Sequence, residues 1–201
     1  MKILNLFAGI GGNRKLWTGD ITAVEIDLEI ALIYQKYFPH DSIFIQDALI
    51  FVQEIDLEKY DFIWASPSCI SHTMLQMTRG YNIPDLTSLY GLIMFFRFKL
   101  QNSNIKWVVE NVRPWYKPLI QPSFSLDRHY YWSNFQVPFK KVLFENKWNN
   151  MSINQLCELL GYNKEDFDNT LHDRQLLRNC VYPETSKYIL DSAFQDNATN
   201  K

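Results

Sequence analysis

Apolar and polar positions in the first 110 residues switch repeatedly between the twofold period of a strand and the wider spacing of a helix. "KILNLF" (2–7) is a short apolar run stopped by glycines and predicts a strand. "NRKLW" (13–17) predicts the start of a short helix. "ITAVEI" (21–26) is β-branched and strand-like, and "DLEIALIYQKYF" (27–38) has helical spacing and stops at Pro39. "SIFIQ" (42–46) predicts a third strand, "ALIFVQEI" (48–55) allows a short helix, and "YDFIWA" (60–65) predicts a fourth strand. "PDLTSLYGLIMFFRFKLQ" (84–101) predicts a long, largely buried helix opened by Pro84-Asp85, and "IKWVVE" (105–110) a fifth strand. This β-α-β-α order predicts an α/β fold with a mostly parallel sheet and flanking helices.

After Pro114 the texture changes. "HYYWSNFQVPF" (129–139) alternates like a strand, and Pro138 suggests that it lies at an edge. Ser152 opens "SINQLCELLGY" with glutamine three residues on, the pattern of a capping box, and Gly161 is a natural stop. "PETSKYILDSAF" (183–194) predicts a last helix begun by Pro183. The divisions expected are 1–115 as the α/β domain, 116–175 as a smaller and less regular region, and 176–201 as a C-terminal helix returning to the first.

Composition narrows the picture in three ways. A chain of 201 residues suits one domain with a real core. A net charge of −2 gives no global basic field, so any nucleic acid would be held by a local patch. Such a patch is suggested by Lys140, Lys141 and Lys147 beside Trp148, although a solvated turn would read the same way. The cysteines, Cys69, Cys157 and Cys180, form no CxxC pair, which argues against a disulfide framework or a zinc ribbon and fits a reducing, cytoplasmic setting. No apolar run is long enough for a membrane span, and "MKILNLFAG" lacks a signal-peptide core.

Chemistry-bearing residues then fall at successive strand ends. In "LFAGIGG" a strand empties into Gly9-Ile10-Gly11-Gly12, where glycines permit a sharp turn and close approach of a ligand. Glu25 ends the second strand, where an acid suits ribose hydroxyls, and Asp47 follows the third, where a carboxylate suits an adenine amino group. Each alone reads equally as a tight turn or a solvated terminus. In order, they describe a pocket for a nucleoside-bearing cofactor, and the lack of a GKS or GKT loop disfavours a polyphosphate. Cys69 follows the fourth strand in "SPSC", a place that suits a nucleophile better than an inert core thiol. Glu110 and Asn111 end the fifth, where a glutamate can hold a proton beside a nucleophile.

The series FAGIGG, an acid after strand two, Asp47, a Pro-x-Cys loop and ENV resembles the DNA cytosine-5 methyltransferases, and more narrowly their short phage-type members. "RHYYWSNF" and "LLRNCVYPETSKYIL" resemble later motifs of that family, so the likeness runs from Leu6 to about Ala193. It implies a methyltransferase fold, S-adenosylmethionine as cofactor, and transfer of a methyl group to C5 of cytosine in DNA, as in restriction-modification. On that likeness Phe7, Ala8, Gly9, Gly11, Gly12, Glu25, Ile26, Asp47, Ala48, Pro67 and Asn179 line the cofactor pocket. Cys69 is the nucleophile, with Glu110, Asn111 and Arg128 completing the catalytic set.

The chain departs from the family at several points. Ser68 stands where a proline usually precedes the cysteine, Arg128 is flanked by Leu126 and Tyr130 in place of a second arginine, and Arg178 replaces a glycine before Asn179. Only about residues 136 to 173 remain for target recognition, although a base inside a duplex must be flipped out for this chemistry. A short region implies weak sequence preference or a second protein subunit. The same chemistry on RNA, a catalytically silent binding protein and an unrelated nucleotide-binding protein such as a dehydrogenase are the rival readings.

Overall fold

The computed structural model describes residues 1–73, 83–138, 150–167 and 171–195. The basic cluster Lys140, Lys141, Lys147 and Trp148 lies outside them. Five strands predicted from the pattern are present: β1 (Lys2–Leu6), β2 (Asp20–Glu25), β3 (Ser42–Ile45), β4 (Phe62–Ala65) and β5 (Lys106–Val112). Two more, β6 (Phe124–Leu126) and β7 (His129–Ser133), complete a seven-stranded sheet in the order β3-β2-β1-β4-β5-β7-β6. The first five run parallel, while β7 is antiparallel to both β5 and β6. Strand order reverses at β1, with β2 on one side and β4 on the other. In such sheets this switch point opens a crevice at the strands' carboxyl ends.

Strand alternation builds two cores. Leu4, Leu6, Ile63, Ala65, Trp107, Val109 and Trp132 face helices α2 (Ala48–Glu54) and α3 (Leu92–Lys99). Ile3, Phe62, Trp64, Val108 and Tyr131 face the opposite way. There they meet Trp17 and three residues of the last helix: Ile189, Leu190 and Ala193. Helix α1 (Leu28–Tyr37) starts at Asp27, whose carboxylate caps the Glu29 and Ile30 N–H groups.

Helix α4 (Ile153–Leu160) has the anticipated capping box, and Gly161 ends it in the left-handed conformation. It shares a third core with Ile10, Leu177 and Cys180, the last two from helix α5 (Leu171–Asn179) and its end. Helix α6 (Pro183–Phe194) follows, with proline in its first turn as expected.

Three local expectations need correction. Residues 13–17 make successive turns rather than a helix. Arg14 folds back to donate to the Trp17 carbonyl and bidentately to Asp41, which also accepts from Tyr34, and this captures the segment before a helix can form. The helix expected over 84–101 begins at Leu86 and opens with a π-helical turn, Thr87–Gly91, before becoming α-helical. The strand expected over 129–139 ends at Ser133. It is interior rather than an edge, and Pro138 lies beyond it. Asn134 closes the ladder with its side chain, accepting from Trp107 N–H at 3.0 Å and donating to Ile105 O at 2.8 Å.

Candidate active site

The glycine loop leaves β1 through two left-handed residues, Phe7 (φ 56°) and Gly9 (φ 56°). Ala8 is buried and holds the Val24 carbonyl through its N–H at 2.9 Å. Glu25 organises this turn from the end of β2. Its carboxylate accepts from Gly9 N–H at 2.8 Å, Ile26 N–H at 2.9 Å and Asp27 N–H at 3.1 Å. A carboxylate has about four acceptor sites, so one further donor can be taken. A Cβ placed on Gly9 meets nothing within 4 Å, so the loop opens there onto free space. Ile26 beside it is 66% exposed. The other two glycines are packed: a Cβ on Gly11 would come within 2.4 Å of Phe38, and one on Gly12 within 2.5 Å of the Cys180 Cβ.

Asp47 caps α2 by accepting from Leu49 N–H at 2.7 Å, and Ala48 is buried in the first turn behind it. The cap is a structural duty that explains the residue without a ligand, and it also fixes the carboxylate at the rim. Asn179 is the exposed final residue of α5. Its neighbour Cys180 is the group that touches the glycine loop. Tyr162 also reaches that loop, donating to Ile10 O at 2.7 Å, and Lys15 donates to Gly161 O at 2.6 Å. The region after α4 thus closes on the loop from below, a role that its sequence did not signal.

The half that carries Cys69 lies across the switch point. Cys69 follows buried Pro67 and exposed Ser68, and it opens a short 3-10 turn, Ile70–His72. Asn111 donates to the Pro67 carbonyl at 2.9 Å and so ties the cysteine loop to β5. Trp115 holds the far side of the loop, donating to His72 O and Ser71 O, each at 3.3 Å. His72 Nδ1 meets the Tyr116 hydroxyl at 2.7 Å. Arg128 sits on the hairpin turn between β6 and β7. Asp127 adopts positive φ (50°) to make that turn, as tight hairpins require. Arg128 also donates to the Arg178 carbonyl at the end of α5.

These groups share one electrostatic field. Burial pushes the Cys69 thiol up to about 11, and the Glu110 charge adds to this while Arg128 pulls it down. Burial raises Glu110 from 4.5 to about 7, against a hydrogen bond from Ser66 and the charge of Arg128. Arg128 is itself lowered by burial, with Glu110 and Cys69 opposing. The arrangement therefore holds, near neutral pH, a protonated thiol beside a carboxyl group poised to keep or lose its proton.

Two participants were not singled out from the sequence. Ser66 bridges Trp64 Nε1 (2.8 Å) to Glu110. His129 is buried with its Nε2 3.4 Å from Glu110 Oε1. Period-two alternation along "HYYWS" places residues 129 and 131 on one face, the face that Glu110 shares, and this is the signal that could have found the histidine. Among the described residues no group of histidine, cysteine and acidic side chains could hold a metal ion, and no helix is long and apolar enough to cross a membrane.

No protein-family model matches the sequence, and no curated protein matches it. Solved structures do. The methyltransferase EhMeth of Entamoeba histolytica aligns over 98% of both chains at 11% identity and a TM-score of 0.51. A mutant DNMT2 of Spodoptera frugiperda aligns over 71% of this chain and 53% of its own at 22% identity and a TM-score of 0.44. A prophage-encoded E. coli protein described as a DNA modification methyltransferase covers 58% of this chain at 20% identity and a TM-score of 0.40. The chain spans 33% of that protein's length and about half of the DNMT2 chain, or 53%. The match over the full length of EhMeth shows that this chain has a methyltransferase fold.

Proposed function

We propose that the protein transfers a methyl group from S-adenosylmethionine to C5 of cytosine in DNA through a covalent adduct at Cys69. The observation that carries this reading is the meeting of Cys69, Glu110 and Arg128, from three separate elements, in one electrostatic cluster at the rim of a methyltransferase fold.

The other half of the rim suits the cofactor. Gly9 leaves open space, and the Glu25 carboxylate can still accept a ribose hydroxyl. Phe7, Ala8, Gly11 and Gly12 would shape the floor. Ile26, Asp47 and Ala48 would meet the adenine side, with Pro67 and Asn179 at the borders. When bound, S-adenosylmethionine supplies an electrophilic methyl group on a positively charged sulfur.

C5 of cytosine is too weak a nucleophile to take that methyl unaided. Cys69 gives its proton to solvent and its thiolate adds to C6, forming an S–C6 bond as the C5–C6 double bond breaks and making C5 enamine-like. Glu110, half protonated near neutrality, donates to N3 as negative charge develops there, and Arg128 supports the carbonyl oxygen. Asn111 keeps the cysteine loop in register through Pro67 O. After C5 gains the methyl, a base takes its proton, the C5–C6 double bond reforms and the Cys69 thiolate leaves. A cytosine in duplex DNA must swing out to reach the thiol. Residues 116–175 include strands β6 and β7 of the sheet, so little chain is left to grip DNA, in keeping with weak sequence preference or a partner subunit. A silent binding protein is the second reading, favoured by the thiol held up near 11 and by Ser68 in place of proline.

The test is transfer of labelled methyl from S-adenosylmethionine to double-stranded DNA, single-stranded DNA and RNA, with Cys69→Ser alongside. Label in DNA that needs Cys69 supports the proposal, and label in RNA alone moves the substrate. No label with cofactor binding intact favours the silent reading.

A further inference from the structure

We infer that His129 is the positioning residue for Glu110, its neutral imidazole donating from Nε2 to one oxygen of the carboxylate. The role of this contact in methyl transfer rests on the function proposed above; the contact itself does not.

The geometry begins with strand register. Glu110 on β5 pairs directly with Tyr131 on β7, and Val112 pairs with His129. Two residues apart on one strand point the same way, so His129 lies diagonally across from Glu110 on the same face. Both side chains are 7% exposed and the Nε2–Oε1 separation is 3.4 Å. Apo catalytic contacts of this length commonly tighten when the site fills.

The groups facing the pair decide its protonation. Glu110 is faced by the Ser66 hydroxyl from the end of β4, by the Cys69 thiol, and by Arg128 and Tyr131. His129 is faced by Glu110, by Arg128 and Arg113, and by the Tyr131 ring 6.3 Å away. Burial and the two arginine charges hold its imidazole well below the usual range, so the ring stays neutral. A neutral ring has one N–H, and the carboxylate beside Nε2 selects the tautomer that carries it there. The carboxyl then sits between two donors: Ser66, itself steadied by Trp64 Nε1, and His129. Together they fix the orientation of an acid that burial alone would leave protonated and loosely aimed.

The histidine also supplies what no charged residue could at this place. A lysine or arginine would hold Glu110 ionised and unable to donate a proton. An aliphatic residue would leave the Glu110 carboxyl oxygen without its donor. The neutral donor aims the carboxyl without fixing its charge, so the group can still give up a proton.

The tautomer is read in the wild-type protein by long-range ¹⁵N–¹H correlation of the histidine rings at pH 8. The expected result is a neutral ring with hydrogen on Nε2; a bare Nε2 overturns the inference. The second measurement is ¹³C titration of the Glu110 carboxyl, assigned by Glu110→Gln. His129→Leu should raise its pKa by about one unit, the size of one lost hydrogen bond to a charged group. His129→Gln, which keeps a donor near Nε2, should restore it. An unchanged titration in His129→Leu also overturns the inference. In methyl transfer, the basic limb of the kcat/KM profile should move upward in His129→Leu and return in His129→Gln. Failure of methyl transfer in every polymer would remove the proposed function while leaving both resonance measurements valid.

Discussion

The two halves of the carboxyl rim are built from different materials. On the β1–β2 side the cradle is mostly backbone: left-handed turns, and three N–H groups gathered by one carboxylate, Glu25. On the β4–β5–β7 side the working parts are buried side chains, and burial has displaced the ionisation of Cys69, Glu110 and His129. The first half is held together by backbone hydrogen bonds. The second stores free energy in displaced protonation states. On the function proposed here, a cofactor held by shape and a base activated by proton movement call for this division.

Substitutions sharpen it, beginning with the largest effect. Cys69→Ser should lower methyl transfer by about 10⁴-fold or more while cofactor affinity, followed by calorimetry, stays within about twofold. A comparable loss of cofactor affinity would merge the two halves. Glu110→Gln should slow transfer by about 10²–10³-fold. It also has a stability signature. Glu110 titrates near 7 in the folded protein and near 4.5 unfolded, so its contribution is fully present below the unfolded value and fades as pH rises through 7. The glutamine variant should therefore gain stability relative to wild type between pH 5 and 8, by ~3 kcal/mol at most. Chemical denaturation at the two pH values reads this difference, and a constant difference would mean that Glu110 is not displaced.

The glycines test the backbone half. Gly12→Ala drives a Cβ into Cys180 at 2.5 Å and should destabilise the fold by about 1–3 kcal/mol. Gly9→Ala has room, and its cost is about 1 kcal/mol for the left-handed backbone. Its main effect should be on cofactor binding, because the methyl group enters the open space over the loop. Equal losses of melting temperature with no change in binding would contradict the cradle. The smallest effect expected is that of Ser152→Ala, about 1 kcal/mol from the lost cap of α4 and no change in chemistry.

Much of this was legible in the sequence, for physical reasons. Parallel strands buried on both faces are continuous apolar runs, so β1, β4 and β5 stood out, and the residues that follow them marked the rim. The capping box at Ser152 and the stop at Gly161 are local chemistry, readable from four residues. What was hidden depends on distant partners. Residues 13–17 look helical until Asp41 captures Arg14. Strand β6 is only three residues long, too short for a period to register. The contact of Cys180 with Gly12 joins positions 168 residues apart with no pattern linking them. His129 was concealed beside Arg128, the residue that drew attention in the same motif.

The central claim is that Cys69 forms a covalent bond to the target base. It is tested most directly with DNA in which cytosine is replaced by 5-fluorocytosine, in the presence of S-adenosylmethionine. Fluorine at C5 cannot leave as the proton does, so the adduct, once methylated, has no exit. The account predicts a protein–DNA species stable to denaturant, with the modified peptide mapping to Cys69 and absent in Cys69→Ser. Methyl transfer to ordinary DNA with no trapped species, or an adduct mapping to Cys157 or Cys180, would contradict it.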